Sequence, residues 1–366
     1  MGQEHNQFMR QAIRLAERAR GLTSPNPMVG AVLVRDGEIV GEGYHHRAGD
    51  PHAEVEALRA AGERARGAAM YVNLEPCNHH GRTPPCVDAI LSAGVARVIY
   101  GCGDPHAQAA GGGARLAKRG VEVIGGVLED ESERLNEAFL KSLRTGLPFV
   151  ILKAGMSLDG KIAGAARRRE QITGETATRA AHRLRADCDA VMVGIGTVVA
   201  DDPQLTVRHC DGPFKQPLRV VIDSRCRTPE SAAVISQDPS RTVIACGRQA
   251  AEGDMGRLRT AGAAVERFAG AGDGVDLEAA LRYLSGRGAL SVLVEGGARL
   301  SASLLREGLV DKVVLFVAPV LAGGDALSAV DSLGVEWVSE GVRLRDLKAE
   351  PCGGDLRIEA YVERNA

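Results

Sequence analysis

The sequence lacks several features that would each indicate another class of protein. It contains no apolar run of about eighteen residues, and its N-terminal segment is amphipathic and mixed in charge, unlike a signal peptide. Its 45 Lys and Arg residues against 47 Asp and Glu residues give a net charge of -2, which provides no electrostatic attraction to a polyanion. We therefore expect a cytoplasmic protein whose main ligand is neither a membrane nor a nucleic acid.

Cysteine is also sparse. Eight cysteines in 366 residues are too few for a disulfide framework, and a cytoplasmic compartment would keep them reduced. Six of them stand singly in the sequence, and we interpret these as small core or surface residues. Cys77 and Cys86 differ because each directly follows a proline, downstream of a His-Ala-Glu sequence. These two are therefore candidate metal ligands.

The length of the chain exceeds what one hydrophobic core usually supports, so we expect two domains. Helical and strand patterns alternate along its first part, which includes a helix over 6–20 and a hairpin signal at Asp36-Gly37. This alternation predicts a three-layer α/β domain. The charged segment 128–148 is the candidate boundary and gives domains 1–147 and 148–366. The second domain is again predicted to be α/β, with an antiparallel edge near the C-terminus.

The chemistry of the first domain is indicated by His52, Cys77 and Cys86. One imidazole and two thiolates form the ligand set of a catalytic zinc that keeps a fourth position for water. Glu54 lies two residues after His52, where it is better placed to move a proton than to bind the metal. Two prolines before Cys86 predict a helix start, and a helix N-terminus favours the thiolate that zinc requires.

This pattern, His-x-Glu followed by Pro-Cys and a second Cys, is typical of zinc deaminases. The deaminases that act on nucleic acid have two residues between the cysteines, whereas here there are eight. A structural zinc remains an alternative, because His79 or His80 could supply a fourth protein ligand.

The second domain lacks the Gly-x-Gly-x-x-Gly sequence, so an ordinary Rossmann site is not expected. Two glycine-rich turns, at 194–197 and 296–297, each follow a predicted strand. Backbone N–H groups in such turns can approach a phosphate, and a helix after Gly297 would add its dipole. The same strand–turn–helix arrangement is common in purely structural turns, so it does not by itself indicate a cofactor.

Several motifs together resemble the bacterial bifunctional deaminase–reductase family of riboflavin biosynthesis. The similar segments are 25–30, 41–45, 51–54, 75–86, 157–160, 200–203 and 295–297, and with Lys153 they extend over essentially the whole chain. The resemblance implies a cytidine-deaminase-like α/β/α domain followed by a dihydrofolate-reductase-like α/β domain. The first would remove the 2-amino group of 2,5-diamino-6-ribosylamino-4(3H)-pyrimidinone 5′-phosphate with Zn²⁺. The second would reduce the ribosyl group with NADPH, and we expect a homo-oligomer.

The resemblance also implies roles for individual residues. Asp159 and Glu295 would be candidates for proton transfer during reduction. The residues expected to line the deaminase pocket are Asn26, His45 and Arg82. Those expected to contact NADPH are Gly155, Gln171, Thr197, Asp201, Ser224, Gly297, Ala298, Arg299 and Leu300. Those expected to contact the reductase substrate are Arg169, Arg185, Leu205, Arg208 and Glu295.

The chain departs from the family pattern at two places. His106-Ala107 stands where the family usually has Asn-Pro, which affects an expected substrate contact. Gln171 stands where the family usually has tryptophan, which removes an aromatic wall beside NADPH. Three alternatives therefore stay open: a deaminase with an inactive reductase, a nucleoside or nucleic-acid base deaminase with an accessory domain, and a non-catalytic zinc- or nucleotide-binding protein.

Overall fold

The computed structural model describes residues 2–79, 84–105, 110–168, 170–270 and 272–363. The chain forms two compact units, Met1–Gly146 and Leu147–Ala366. Within the described residues no helix is both long enough and apolar enough to cross a membrane.

The first unit alternates helices and strands along the chain. Its main elements are α1 (Gly2–Glu17), β1 (Gly30–Arg35), β2 (Glu38–Tyr44), α2 (Ala53–Ala61), β3 (Ala69–Leu74), α3 (Cys86–Ala93), β4 (Arg97–Cys102), α4 (Gly112–Lys118), β5 (Glu122–Ile124), α5 (Glu129–Leu135) and α6 (Glu137–Thr145).

One five-stranded sheet, in the order β2-β1-β3-β4-β5, forms the middle layer of this unit. Alternate residues of β1 point to opposite faces, as strand geometry requires. Leu33 packs in a core with α2, α3 and α4, whereas Val32 and Val34 pack in a second core with α1 and Leu135 of α5. The predicted three-layer α/β/α architecture is therefore confirmed.

The hairpin between β1 and β2 turns at the predicted dipeptide. Asp36 and Gly37 have φ of 54° and 81°, the left-handed pair that matches the twist of a two-residue hairpin. Further along β2, a Cβ atom built on Gly41 would lie 2.4 Å from the carbonyl oxygen of Ala57. A Cβ atom on Gly43 would lie 2.4 Å from the backbone nitrogen of the same residue. Helix α2 therefore packs backbone to backbone on β2, which fixes the position of its N-terminus.

The second unit is larger and contains the remaining α-helices and β-strands. These are β6 (Phe149–Ser157), β7 (Lys161–Ala163), α7 (Glu175–Asp187), β8 (Ala190–Gly194), α8 (Ile195–Asp201), β9 (Leu218–Ile222), α9 (Ala233–Ser236), β10 (Thr242–Cys246), α10 (Glu252–Thr260), β11 (Ala264–Arg267), α11 (Leu277–Gly286), β12 (Ser291–Glu295), α12 (Ala298–Arg306), β13 (Lys312–Ala318), β14 (Leu327–Ser328), β15 (Leu344–Cys352) and β16 (Asp355–Val362).

A nine-stranded sheet in the order β11-β10-β9-β8-β12-β6-β13-β16-β15 organises this unit. The first seven strands of that order run parallel, and β16 and β15 add the predicted antiparallel edge. The carboxyl ends of β8, β12 and β6 therefore meet at one edge, where open α/β sheets usually bind ligands. The short strands β7, β11 and β14 were not predicted, because two to four residues give too little periodicity.

Candidate functional sites

Three potential metal ligands from separate parts of the first unit come together. His52 directly precedes α2, Cys77 follows β3 and Cys86 begins α3. The Nδ1 atom of His52 lies 3.2 Å from Sγ of Cys86 and 3.6 Å from Sγ of Cys77. Tetrahedral zinc, with Zn–N about 2.0 Å and Zn–S about 2.3 Å, holds its ligand atoms about 3.5–3.8 Å apart. The described side chains therefore fit Zn²⁺ in both type and spacing.

Among the residues that the structure describes, these three form the only group of metal-ligand side chains. His79, the possible fourth ligand of a structural site, does not belong to the group, and His80 lies outside the described residues. The described side chains therefore supply three ligands, the number that a catalytic zinc uses.

Hydrogen bonds between the two cysteines separate their proton affinities. The bond from the Cys86 thiol is the main factor that lowers the pKa of Cys77 to about 4, and the backbone N–H of Cys86 also donates to Cys77 Sγ at 3.3 Å. The pKa of Cys86 is raised, first by this hydrogen bond to Cys77 and then by burial. Cys77 is thus the more readily ionised of the two thiols, and a bound dication would favour ionisation of both.

Glu54 lies in the first turn of α2, and only 3% of its surface is exposed. Burial raises the pKa of its carboxyl group above the ordinary value. A buried carboxyl group with a raised pKa beside three candidate metal ligands is suited to accept and release a proton near neutral pH. Its position beside His52 follows from the first helical turn of α2.

Asn26 and His45 form a hydrogen-bonded chain that ends beside the metal ligands. Nδ2 of Asn26 donates to Nε2 of His45 at 3.0 Å, and Nδ1 of His45 donates to the carbonyl oxygen of Pro51 at 3.0 Å. These partners assign a neutral imidazole with its hydrogen on Nδ1. Burial also lowers the pKa of His45, which favours the neutral form. Two of the expected pocket residues are thus connected to the residue that precedes His52.

Two buried asparagines that the sequence analysis did not select hold the Asn26 segment. Asn73 accepts a hydrogen bond from Gly30 N–H at 2.8 Å and donates to the carbonyl oxygen of Met28 at 3.0 Å. Asn136 accepts from Met28 N–H at 2.8 Å and donates to Met28 O at 2.9 Å. A polar residue inside the apolar strand β3 was the available signal for Asn73. No comparable signal marked Asn136, which lies between α5 and α6.

The loop that follows Cys77 is held by Arg115 of α4. Arg115 donates to Asn78 at 3.0 Å and to Asp88 at 2.6 Å. A Cβ atom on Gly112 would lie 1.8 Å from the carbonyl oxygen of Pro76, so α4 begins in direct backbone contact with this loop. Arg82, expected to line the deaminase pocket, and His106-Ala107 lie outside the described residues.

In the second unit an ion pair lies at the carboxyl end of β12. Both oxygens of Glu295 accept from Arg185 of α7, at 2.8 and 2.9 Å, and Nζ of Lys153 lies 3.6 Å from one of them. Burial by itself would raise the pKa of Glu295, but Arg185 and Lys153 outweigh it and hold the pKa at about 2. Glu295 is therefore an ionised carboxylate.

Asp159 is also held ionised. The hydroxyl group of Ser157 and the backbone N–H groups of Ala322 and Gly323 donate to its carboxylate. These bonds, that of Ser157 foremost, lower the pKa of Asp159 to about 2. The two positions considered for proton transfer thus carry carboxylates that would be poor proton donors near neutral pH.

The two glycine-rich turns lie side by side, because β8 and β12 are neighbours in the sheet. Gly296 and Gly297 have φ of 85° and 92°, a conformation that favours glycine, and Gly297 caps α12. A Cβ atom on Gly297 would lie 3.6 Å from Oγ1 of Thr197. The structure therefore brings together two of the segments expected to contact NADPH, beside the N-terminus of α12.

The remaining expected contacts are spread around this edge of the sheet. Ala298 and Leu300 are buried, so a cofactor would meet their backbone N–H groups, whereas the Arg299 side chain is 94% exposed. The others lie as follows: Gly155 is in β6 near Thr173, Asp201 ends α8, Ser224 lies two residues after β9, and Leu205 and Arg208 lie in the segment after α8.

Gln171, which replaces the usual aromatic residue, is exposed. Its Nε2 atom donates to the carbonyl oxygen of Thr173 at 2.8 Å and to Oγ1 of Thr178 at 2.9 Å. The amide therefore ties this segment to the first turns of α7. Arg169, an expected substrate contact, lies outside the described residues.

Comparison with known proteins finds relatives of both units. Residues 2–102 match the cytidine and deoxycytidylate deaminase zinc-binding region, and residues 148–358 match the RibD C-terminal domain. The riboflavin biosynthesis protein RibD of Escherichia coli K12 is 42% identical over 361 residues, covering 95% of this chain and 97% of that protein. That of Aquifex aeolicus is 41% identical over 352 residues, with 96% of each chain covered.

Solved structures agree with these matches. Acinetobacter baumannii RibD superposes with a TM-score of 0.91 at 38% identity and covers all of both chains. A diaminohydroxyphosphoribosylaminopyrimidine deaminase/5-amino-6-(5-phosphoribosylamino)uracil reductase from Thermotoga maritima superposes with a TM-score of 0.85 at 33% identity, over 99% of each chain.

Proposed function

The chain belongs to the family of bifunctional deaminase–reductases of riboflavin biosynthesis, and from that premise we propose how its residues carry out the two reactions. The protein is an enzyme that deaminates 2,5-diamino-6-ribosylamino-4(3H)-pyrimidinone 5′-phosphate and then reduces the ribosyl group with NADPH. We assign the zinc-dependent deamination to residues 1–147 and the reduction to residues 148–366. The product is 5-amino-6-ribitylamino-uracil 5′-phosphate.

For deamination, His52, Cys77 and Cys86 would hold Zn²⁺. When bound, this ion lowers the pKa of a water molecule to about 7 and so supplies a nucleophile at neutral pH. Glu54 takes a proton from the attacking water and delivers it to the leaving amino group. The C–O bond forms at the pyrimidine carbon, the C–N bond breaks and ammonia leaves.

We assign Asn26 and His45 to orientation of the pyrimidine ring. Support comes from their hydrogen-bonded chain to Pro51, the residue before His52. Asn136 and Asn73 keep this segment in place through Met28. Arg82 is proposed to bind the 5′-phosphate, because its planar guanidinium group can bind two oxygens at once.

For reduction, NADPH supplies the hydride, and the protein orients the cofactor and the substrate. The adjacent turns at 194–197 and 296–297 support a phosphate-binding role for this edge of the sheet. The proposed NADPH contacts are Gly155, Gln171, Thr197, Asp201, Ser224, Gly297, Ala298, Arg299 and Leu300. The proposed substrate contacts are Arg169, Arg185, Leu205, Arg208 and Glu295.

We further propose that the enzyme works in the cytoplasm as a homo-oligomer, without a nucleic-acid partner. The near-neutral net charge supports the last point. The edge strand β15 supports self-association, since eight of its nine residues are exposed, and the apolar residues Leu344 and Leu347 are among them. Sedimentation of the wild type and of Leu347→Asp tests this, because dissociation of the variant is expected if β15 lies in the interface.

The observation that carries the proposal is the group His52, Cys77 and Cys86 with buried Glu54 beside it. The test uses the purified full chain with the diaminopyrimidinone ribosyl phosphate, following ammonia release and NADPH oxidation separately. Ammonia release followed by NADPH oxidation, with no ammonia from Glu54→Ala, is the expected result. Absence of ammonia from the zinc-loaded wild type would exclude the substrate, and ammonia without NADPH oxidation would exclude the reductase assignment.

A further inference from the structure

Residues 205–209, here called the substrate loop, adopt an unusual backbone conformation. The loop contains the proposed substrate contacts Leu205 and Arg208 and has no helix or strand, apart from a bend at His209. It begins and ends in the left-handed region, with φ of 53° at Leu205 and 58° at His209. Residues with a side chain adopt this region only where their surroundings compensate. Something outside the loop must therefore hold its backbone.

Two side chains from other segments hold the middle of the loop. Arg185, already paired with Glu295, donates from Nη1 to the carbonyl oxygen of Thr206 at 2.5 Å. Gln216 accepts from Val207 N–H at 2.8 Å and donates to Val207 O at 3.2 Å. This amide thus satisfies both backbone groups of Val207, as a neighbouring strand would.

A third side chain holds the residue that presents the positive charge. Nδ1 of His182 accepts from the backbone N–H of Arg208 at 3.1 Å. His182 is 6% exposed and lies one turn before Arg185 on α7, so both side chains project from one face of the helix. Burial is the main factor that lowers the pKa of His182, to about 4, so Nδ1 is available as an acceptor at neutral pH.

Of the two proposed substrate contacts in the loop, Leu205 has its side chain buried in the core, so the polar contact with substrate falls to Arg208, which is exposed. A guanidinium group on a fixed backbone matches two oxygens of a phosphate group. We infer that His182 and Gln216 are positioning residues of the reductase, which hold the substrate loop so that Arg208 binds the 5′-phosphate. This inference rests on the proposed reductase function and goes beyond it, because neither residue is among the proposed contacts.

The inference makes a specific kinetic prediction. A loop that is not held must be ordered each time substrate binds, so binding weakens. The phosphate lies away from the reacting carbon, so the loss affects the ground state and the transition state equally. Such a change raises KM and leaves kcat unchanged.

The test compares two substitutions of His182 in the full-length enzyme, supplied with the deaminated phosphate substrate. His182→Asn keeps an acceptor near the position of Nδ1, whereas His182→Leu fills the space without one. We expect KM for this substrate to rise about 10- to 100-fold in His182→Leu, with kcat within about twofold of the wild type. His182→Asn should stay close to the wild type. Gln216→Met should reproduce the KM effect, which gives a second variant if His182→Leu folds poorly.

Three comparisons separate positioning from a general structural role. Adding His182→Leu to Arg208→Ala should raise KM no further, because the first residue acts through the second. The substrate without its 5′-phosphate should show no difference between the wild type and His182→Leu. Arg183→Ala, which changes an exposed neighbour on α7, should have no effect. Ammonia release by the same preparations checks that the rest of the chain is intact.

The inference is overturned if KM is unchanged in both His182→Leu and Gln216→Met. It is also overturned if His182→Asn is as impaired as His182→Leu, or if the effects of His182→Leu and Arg208→Ala multiply. Failure of the wild type to oxidise NADPH with the deaminated substrate would instead contradict the proposed reductase function.

Discussion

The two units assemble their functional sites over different distances in the sequence. In the first unit His52 and Cys86 are 34 residues apart and lie at the N-termini of two helices on one face of a sheet. In the second unit Arg185 meets Glu295 across 110 residues, and the two glycine-rich turns meet because their strands are neighbours. A metal site can thus be recognised in the sequence from the types and spacing of its ligands. A site built from backbone groups and ion pairs can be recognised only when the order of the strands in the sheet is known.

The largest effect is expected from Glu54→Gln, which tests whether the two units carry separate reactions. The substitution keeps the shape of the side chain but cannot carry the proton. Deamination should fall about 10³-fold, within the range for loss of a general acid–base group. Reduction of the deaminated substrate should continue at the wild-type rate, as measured by NADPH oxidation. Retention of more than about a tenth of the ammonia release would contradict the role of Glu54, and zinc content checks that the ligands remain bound.

Glu295→Gln tests how much the buried ion pair of the second unit contributes to stability. It leaves Arg185 and Lys153 without their carboxylate, and removal of one partner from a buried ion pair costs about 3 kcal/mol in the free energy of unfolding. The control is Glu278→Gln, which removes an exposed pair with Arg282 and should cost less than about 0.5 kcal/mol. Urea unfolding measures both, and equal effects would contradict the importance of the buried pair.

The same pair gives a pH dependence. The pKa of Glu295 is about 2 in the folded enzyme, below the ordinary carboxyl value of 4.5. Its ionised form therefore stabilises the fold above pH 4.5, and this contribution is lost as the pH falls from 4.5 to 2. The unfolding free energy of Glu295→Gln should decline less over that range than that of the wild type.

His182 gives a second pH dependence, in a different range. Its pKa is lowered from 6.5 to about 4, so the neutral ring stabilises the fold above pH 6.5 and this contribution disappears as the pH falls to 4. The wild type should therefore lose about 2 kcal/mol more than His182→Asn between these pH values. Parallel denaturant titrations across the range measure the difference, and identical curves would show that the ring is not held neutral.

Asn136→Leu tests whether the deaminase site extends beyond the matched residues 2–102. The change removes two hydrogen bonds to Met28, and kcat/KM for ammonia release should fall about tenfold, the equivalent of one buried hydrogen-bonding group. Reduction should be unaffected. An unchanged kcat/KM for ammonia release would show that Asn73 is sufficient to hold the Asn26 segment.

The smallest expected effect comes from Gln171→Trp, which introduces the aromatic residue that the family usually has. Stacking against the cofactor should lower KM for NADPH about threefold, within the range for an aromatic contact. The exposed hydrogen bonds of Gln171 to Thr173 and Thr178 contribute little to set against it. KM for NADPH, measured at saturating substrate, decides whether this position contacts the cofactor.

The comparison of the two units explains what could be predicted from the sequence. Hairpin chemistry at Asp36-Gly37 and the helical start after Pro85 are local signals, and the structure has the hairpin and α3 where these signals place them. Asn136 and Gln216 act on residues 108 and 9 positions away, through bonds to backbone atoms. Every residue has the same backbone groups, so the sequence does not show which of them a side chain will bind. The roles of Asn136 and Gln216 therefore could not be recognised before the fold was known.

The contact between β2 and α2 has a consequence for genetics. Every residue other than glycine has a Cβ atom, so every missense mutation at Gly41 or Gly43 places an atom 2.4 Å from a backbone atom of Ala57, too close for the two segments to stay where they are. In a selection for growth without added riboflavin, loss-of-function alleles at these two codons should appear alongside those at the metal ligands. Positions that tolerate no mutation would then include a backbone-to-backbone contact between a strand and a helix, in addition to the residues that take part in the reaction.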